Sequence, residues 1–334
     1  MSGGRPYVSI VLTGRNDDHG ADFRTRFFRT LEFNHRELTA RGVDHEVVLV
    51  EWAPQAGRPL LVDLVAEAVP ALDPRCFRGL VVDPRYQDAF SLNRRMSYLE
   101  YIAKNVGIRR AAGQFVLSTN CDVVLGRHVL DALERRTFEP RVVYRASRHD
   151  LKMELNAAPL TWALLENRDH LEREPAVLKP PLMGGGTGDF LLLDRESFHA
   201  VRGFNEVYRV TRVGLDQNFV VKALSSGLPV RDVGGPVYHL NHEGSFQLTR
   251  HKYDGREAEA PYGDIRWHAR AIVYDNPPAW GLGDVSARPI SARASMLDFS
   301  SKAVPPLVDL KRVKVADPSI PDGSRYRPWY QSSQ

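Results

Sequence analysis

Apolar and polar positions alternate between two rhythms along the first half of the chain. "YVSIVLT" (Tyr7 to Thr13) and "HEVVLVE" (His45 to Glu51) are short, nearly continuous apolar runs, as expected of strands covered on both faces. Between them, Phe23 to Arg41 reads as a helix, and Leu60, Leu61, Leu64, Val65 and Ala68 repeat at helical spacing. "GLVVD" (Gly79 to Asp83) predicts a third strand, and Tyr98 to Ala112 predicts a helix ended by Gly113. "QFVLSTNCDVVLG" (Gln114 to Gly126) then climbs a fourth strand and breaks at Thr119-Asn120-Cys121-Asp122. This is the strand–helix alternation of a mostly parallel α/β sheet.

Past Gly126 the pattern predicts a helix over Val129 to Arg136 and a strand at "RVVYR" (Arg141 to Arg145), then loosens from Ala146 to Pro181 into what reads as an insertion. "DFLLLD" (Asp189 to Asp194) restores a strand, Leu215 to Ser226 has helical spacing with Gly227 and Pro229 as stops, and a last strand should end at "VYHLNH" (Val237 to His242). From residue 287 the composition turns to Pro, Arg, Ser and Asp, which predicts a main domain over 1–286 and an extended tail over 287–334.

Composition narrows the class without deciding it. With 334 residues, 43% hydrophobic and 26% charged, the chain can bury a sizeable core. A net charge of only +4, spread along the sequence, argues against a nucleic-acid surface and leaves room for a small anionic ligand. Two cysteines, Cys76 and Cys121, offer neither a bridge framework nor metal-knuckle spacing. The beginning "MSGGRPYVSIVLTGR" lacks a signal-peptide pattern, and no apolar run approaches the roughly 20 residues of a membrane span. The expectation is a cytoplasmic protein, with peripheral membrane contact still open.

Polar clusters at predicted element ends carry the candidate chemistry. Open α/β sheets bind ligands beyond the carboxyl ends of their strands. Thr13 to Asp17, Glu51, Asn120 to Asp122, and His239 with His242 all fall there. Asp122 can serve as a plain turn residue or as a ligand to a hard cation, which needs only one or two protein ligands when phosphate oxygens fill the rest of its shell. An aspartate with a distant histidine fits manganese or magnesium against a diphosphate. Strand alternation sends His239 and His242 to opposite faces, so one of them should face the site, His242 by its place at the strand's exit. Zinc is disfavoured, because HExxH spacing and a further Cys or His cluster are both missing.

"GGGTGD" (Gly184 to Asp189) lacks GxGxxG spacing and leads into a strand, so it is no phosphate loop. Its glycines either connect flexibly or let a sugar ring lie across the backbone. Asp216, at the start of a predicted helix, can cap that helix or take a proton from an attacking hydroxyl.

In this order the segments resemble GT-A glycosyltransferases, family-2-like, with echoes of the galactosyltransferase branch. "YVSIVLTGRND" and "HEVVLVEWAP" are similar to the first two strands of that family's nucleotide site, and "KNVGIRRAAGQFVLSTNCDVV" to its helix and DxD strand. "MGGGTGDFLLLDRESFHAVRGFNE" resembles the sugar-binding segment, "GLDQNFVVKALSSGLPV" the acidic motif and base-bearing helix, and "VYHLNH" the place of its metal-binding histidine. The resemblance covers roughly residues 7 to 245 and departs at two points, Asn120 for the first DxD carboxylate and Leu215 for the first acidic residue of the ED motif.

What the resemblance implies is a GT-A, Rossmann-like, mostly parallel sheet flanked by helices in a single catalytic domain with a C-terminal extension. The implied activity is metal-dependent sugar transfer of hexosyltransferase type, inverting by expectation, from a nucleoside diphosphate sugar, with UDP favoured. The acceptor is expected to be a glycan, glycolipid or small-molecule hydroxyl. Thr13, Arg15, Glu51, Asn105, Arg109 and Asn120 are then expected on the nucleotide, and Gly185, Gly186, Gly188 and Asp189 on the donor and acceptor sugars. Asp122 with His242 or His239 would hold Mn2+ or Mg2+, and Asp216 would be the base. A retaining GT-A enzyme and a degenerate nucleotide-sugar or glycan binder are the alternatives. A nucleotidyltransferase is disfavoured by the lack of its glycine- and lysine-containing loop after the first strand.

Overall fold

The computed structural model describes residues 4–17, 20, 22–93, 96–175, 177–180, 182–183, 186–209, 214–242 and 274–306, with 186 and 187 described in backbone only. Its strands are β1 (Val8–Gly14), β2 (His45–Trp52), β3 (Phe77–Val82), β4 (Phe115–Thr119), β5 (Val123–Leu125), β6 (Val143–Leu151), β7 (Gly186–Asp194), β8 (Val230–Leu240), β9 (Ala287–Pro289) and β10 (Ala294–Leu297). They form one mixed, mostly parallel sheet in the order β5-β8-β6-β7-β4-β1-β2-β3-β10-β9. The helices α1 (Phe23–Ala40), α2 (Leu61–Ala68), α3 (Arg85–Phe90), α4 (Glu100–Arg110), α5 (Arg127–Glu134), α6 (Trp162–Leu165), α7 (Arg195–Ala200) and α8 (Leu215–Ser225) flank it. None of the described helices is long and apolar enough to cross a membrane.

The continuous apolar runs of β1 and β2 follow from burial on both faces. Ile10, Leu12, Val47 and Leu49 pack in one core with Phe27 and Leu31 of α1 and Leu61 and Val65 of α2. Val11, Val48 and Val50 face the other way, into a second core with Ile102 and Val106 of α4. Gly107 lets α4 lie close, since a Cβ there would fall 2.5 Å from a Val11 methyl.

At one end of the sheet, β5 meets the side chain of Asn34 on α1, whose amide donates to the Val123 carbonyl (2.9 Å) and whose oxygen accepts from the Leu125 N–H (2.9 Å). One amide side chain thus does what a neighbouring strand would do, and it pins the chain directly after Asp122.

Two expectations are revised. The stretch after Ala146 is not loose at its start, because β6 continues past an irregularity between Arg145 and Ser147 as far as Leu151. Nor is the whole segment after 286 an extended tail. β10 pairs in parallel with β3, Ala294 and Leu297 are buried, and β9 closes antiparallel on its outer side. Four residues, Ala294 to Leu297, provide the apolar contact in a polar setting, too short a run to stand out by periodicity.

Candidate functional site

The break after β4 lies where the parallel strands end. Its Asp122 carbonyl accepts the Leu240 N–H (3.0 Å), which ties the end of β8 beside it. Because β8 stops at Leu240 and the chain turns through Asn241, alternation no longer separates the two histidines. His239 Nε2 and His242 Nε2 each lie 3.6 Å from Asp122 Oδ2, so both imidazoles face one carboxylate, contrary to the expectation that only one would. One ligand atom from each of the three residues fits within 4.8 Å, the one such grouping of potential metal ligands among the described residues.

Cations surround this carboxylate. Arg26 of α1, fully buried, brings its Nε to 3.7 Å from Asp122 Oδ2. Burial alone would raise the Asp122 pKa, yet the adjoining His239, His242 and Arg26 hold it well below the usual carboxylate range. For His239 burial works toward the neutral ring, and the Asp122 and Asp150 carboxylates overcome it, lifting the pKa to about 9.

Asn120 stands where a second acid would be expected, and its neighbours explain the amide. Its oxygen accepts from Lys104 Nζ (2.8 Å), a fully buried ammonium also paired with Glu100 (2.9 Å), while its NH2 donates to Asp189. A carboxylate at 120 would face the Asp189 carboxylate directly. Both polar atoms of Asn120 therefore already have protein partners, as does Asp189, which receives Arg148 as well. Cys121 is buried and donates to the Thr13 carbonyl (3.3 Å), so it points into the core.

Asp216 lies in the first turn of α8, whose N-cap is Gly214 in the left-handed conformation (φ 78°) with no side-chain capping bond. Its carboxylate accepts instead from Arg145 Nη2 (3.3 Å) on β6. Gly188 permits this placement, because a Cβ there would fall 2.7 Å from Asp216 Cβ and 2.8 Å from the Tyr101 hydroxyl. The next residue, Asp189, bonds Asn120, so β7 links Asp216 to the Asp122 turn. Gly186 contributes backbone to β7 opposite Ser147, and Gly185 lies outside the described residues.

Of the other residues expected on the nucleotide, most already have protein partners. Arg15 pairs with Asp17 and donates to the Ser97 carbonyl (2.7 Å), and Thr13 is buried at the end of β1. Asn105 is buried in a polar knot, accepting from the Phe204 N–H (2.8 Å) and donating to the Phe204 carbonyl (2.8 Å) and Glu206 (2.9 Å). Arg109 donates to the carbonyls of Pro278 (2.7 Å) and Trp280 (3.0 Å). Asn105 follows the site-facing Lys104 by one residue, about 1.5 Å along the α4 axis, whereas Arg109 lies in the last turn, roughly 7.5 Å beyond Lys104.

Glu51 is fully buried and accepts the Val62 N–H (3.1 Å) at the start of α2. Burial lifts its pKa from 4.5 to about 7 against the pull of backbone N–H groups at Leu61 and Val62. The folded protein thus keeps a proton that the unfolded chain releases. Stability from this difference is complete below about pH 4.5, declines as pH rises to about 7, and is then lost, a swing of about 3 kcal/mol. Urea melts at pH 5 and pH 8 should show Glu51→Gln without this decline; an equal decline in both proteins would assign it elsewhere.

Sequence reasoning missed Lys104, Arg26, Arg145, Arg148 and Asp150. The last two had a usable signal, since residues two apart share a strand face.

No family model matches the chain, and no curated protein matches it. Among solved structures it aligns with Staphylococcus aureus TarS: residues 1–349 with UDP, at 13% identity and TM-score 0.41 over 79% of this chain and 69% of that one. For the same TarS segment with UDP-GlcNAc the identity is 14% and the TM-score 0.42, over 79% of this chain and 70% of that one.

Proposed function

We propose that the chain is a nucleotide-sugar-dependent glycosyltransferase that holds its donor diphosphate at Asp122, His239 and His242 and uses Asp216 as the base of an inverting transfer. The observation that carries this reading is the convergence of one carboxylate and two imidazoles beyond the strand ends, joined through Gly188 and Asp189 to a second carboxylate that faces a different element.

Manganese and magnesium both favour oxygen ligands, but Mg2+ dehydrates reluctantly and demands near-ideal octahedral geometry, so a set of one oxygen and two nitrogen donors suits Mn2+ better. When bound, such a cation offsets the negative charge that builds on the departing nucleoside diphosphate. The protein's own part is positional. Arg145 orients Asp216, and Asp216 takes the proton of the acceptor hydroxyl as its oxygen bonds to the anomeric carbon and the bond from that carbon to the diphosphate oxygen breaks. Arg26 and Lys104 bring two buried positive charges near the anionic donor, each set against a carboxylate, Asp122 and Glu100.

The test is release of nucleoside diphosphate from a panel of donors that includes UDP-GlcNAc, the ligand of one TarS complex, and UDP-galactose, for the branch that the sequence resembles. At least one donor should be hydrolysed slowly with manganese and spared with EDTA. If no nucleotide sugar is bound or cleaved under either condition, the reading fails.

A further inference from the structure

Asp150 has no part in the chemistry above, yet it meets three side chains, Arg148, Arg173 and His239. It is buried near the end of β6, directly across from His239 in the parallel pairing with β8, so the sheet register fixes their separation. Its Oδ1 accepts from His239 Nδ1 (2.8 Å) and from Arg148 Nε (2.9 Å), and its Oδ2 meets Arg173 Nη2 (2.6 Å). Arg173 comes from the segment inserted between β6 and β7. That segment is held beside Asp150 by the Glu172 N–H to the Asp150 carbonyl (2.8 Å) and by a bridge of Leu171 with Leu151.

A neutral imidazole has one N–H and one lone pair. When a cation displaces the second proton of His239, Nδ1–H stays committed to Asp150 and the lone pair falls on Nε2, the nitrogen 3.6 Å from Asp122. A carboxylate that fixes a ligand histidine in this way also makes the ring a better donor. We infer that Asp150 is a positioning residue for the cation site: it locks His239 as an Nε2 ligand, and Arg148 and the inserted Arg173 keep its own carboxylate aimed. The inference rests on the cation site proposed above and extends it to a residue outside the ligand set.

The experiment measures Mn2+ alone by calorimetry against four full-length proteins: wild type, Asp150→Asn, His239→Ala and the double variant. Asp150→Asn should weaken binding by about 10- to 100-fold in the wild-type background. It should cost nothing further once His239 is gone. An unchanged affinity, or the same loss in both backgrounds, overturns the inference, the second because a general structural effect would not depend on His239. Should Asp150→Asn fail to fold, nitrogen-15 spectra of histidine-labelled wild type loaded with Cd2+ decide the matter. Nδ1 protonated and Nε2 coordinated at His239 is expected, and the opposite pattern overturns it. Failure of wild type to bind either ion overturns the cation site and this inference together. Donor hydrolysis, measured in parallel, judges the transfer reading separately.

Discussion

Asp216→Asn is expected to lower sugar transfer by roughly two to four orders of magnitude while leaving donor affinity near wild type. The amide keeps the shape of the side chain and can still accept from Arg145, but it cannot take a proton from an acceptor hydroxyl. Some stability should go with it. Arg145 is fully buried, and its other described contact is a long bond to the Leu182 carbonyl (3.4 Å), so weakening its ionic partner should cost about 1–3 kcal/mol. Helix capping no longer competes as an explanation, because Gly214 begins α8 and Asp216 is turned to Arg145. Single-turnover transfer beside a thermal melt separates the effects. An Asn variant with full turnover would remove Asp216 as the base and turn attention to a retaining reaction.

The parts of this fold that could be read from sequence are those whose environment is uniform. β1, β2 and β4 are apolar on both faces because helices cover both, so their residues alone announce buried strands. The part of β6 beyond Arg145 escapes the same reading. Arg148 and Asp150 occupy its site-facing positions and are made tolerable by Asp189, Arg173 and His239, partners supplied from far along the chain. A charged strand face looks like a loop until its counter-charges are known.

The site shows a similar division. Asp122, Asp216, His239 and His242 could be picked out because they sit at predicted element ends, where ligands meet α/β sheets. The partners of Asn105 and Arg109 could not be read the same way, since helical periodicity says which face is buried and nothing of the distant residues, Phe204, Glu206, Pro278 and Trp280, that meet it. The pairing of both histidines with Asp122 depends on β8 ending at Leu240, a boundary two residues short of the expected one. The amide at Asn120, a departure when set beside the resembled motif, becomes intelligible only with Asp189 in place.

Replacing Asp122 by Asn should abolish manganese-dependent binding of UDP and, independently, destabilise the metal-free protein. The first effect follows from the loss of the only carboxylate in the three-residue grouping. The second follows from what is left behind. Arg26, fully buried, loses its neighbouring negative charge, and breaking such a buried pair by removing one partner typically costs about 3–5 kcal/mol. His239 limits the damage, since an imidazole can release its proton where a guanidinium cannot. This gives the destabilisation a pH dependence of definite sign. The His239 pKa is raised to about 9 in the fold, so the stabilisation it draws from Asp122 and Asp150 is complete below about pH 6.5 and fades as pH climbs through 9. The gap in stability between wild type and Asp122→Asn, measured by urea melts in EDTA, should therefore be larger at pH 6.5 than at pH 9.5, where the Arg26 share remains. Calorimetric titration with manganese and UDP gives the complementary readout, and a variant that binds the pair as tightly as wild type would remove Asp122 from the cation site.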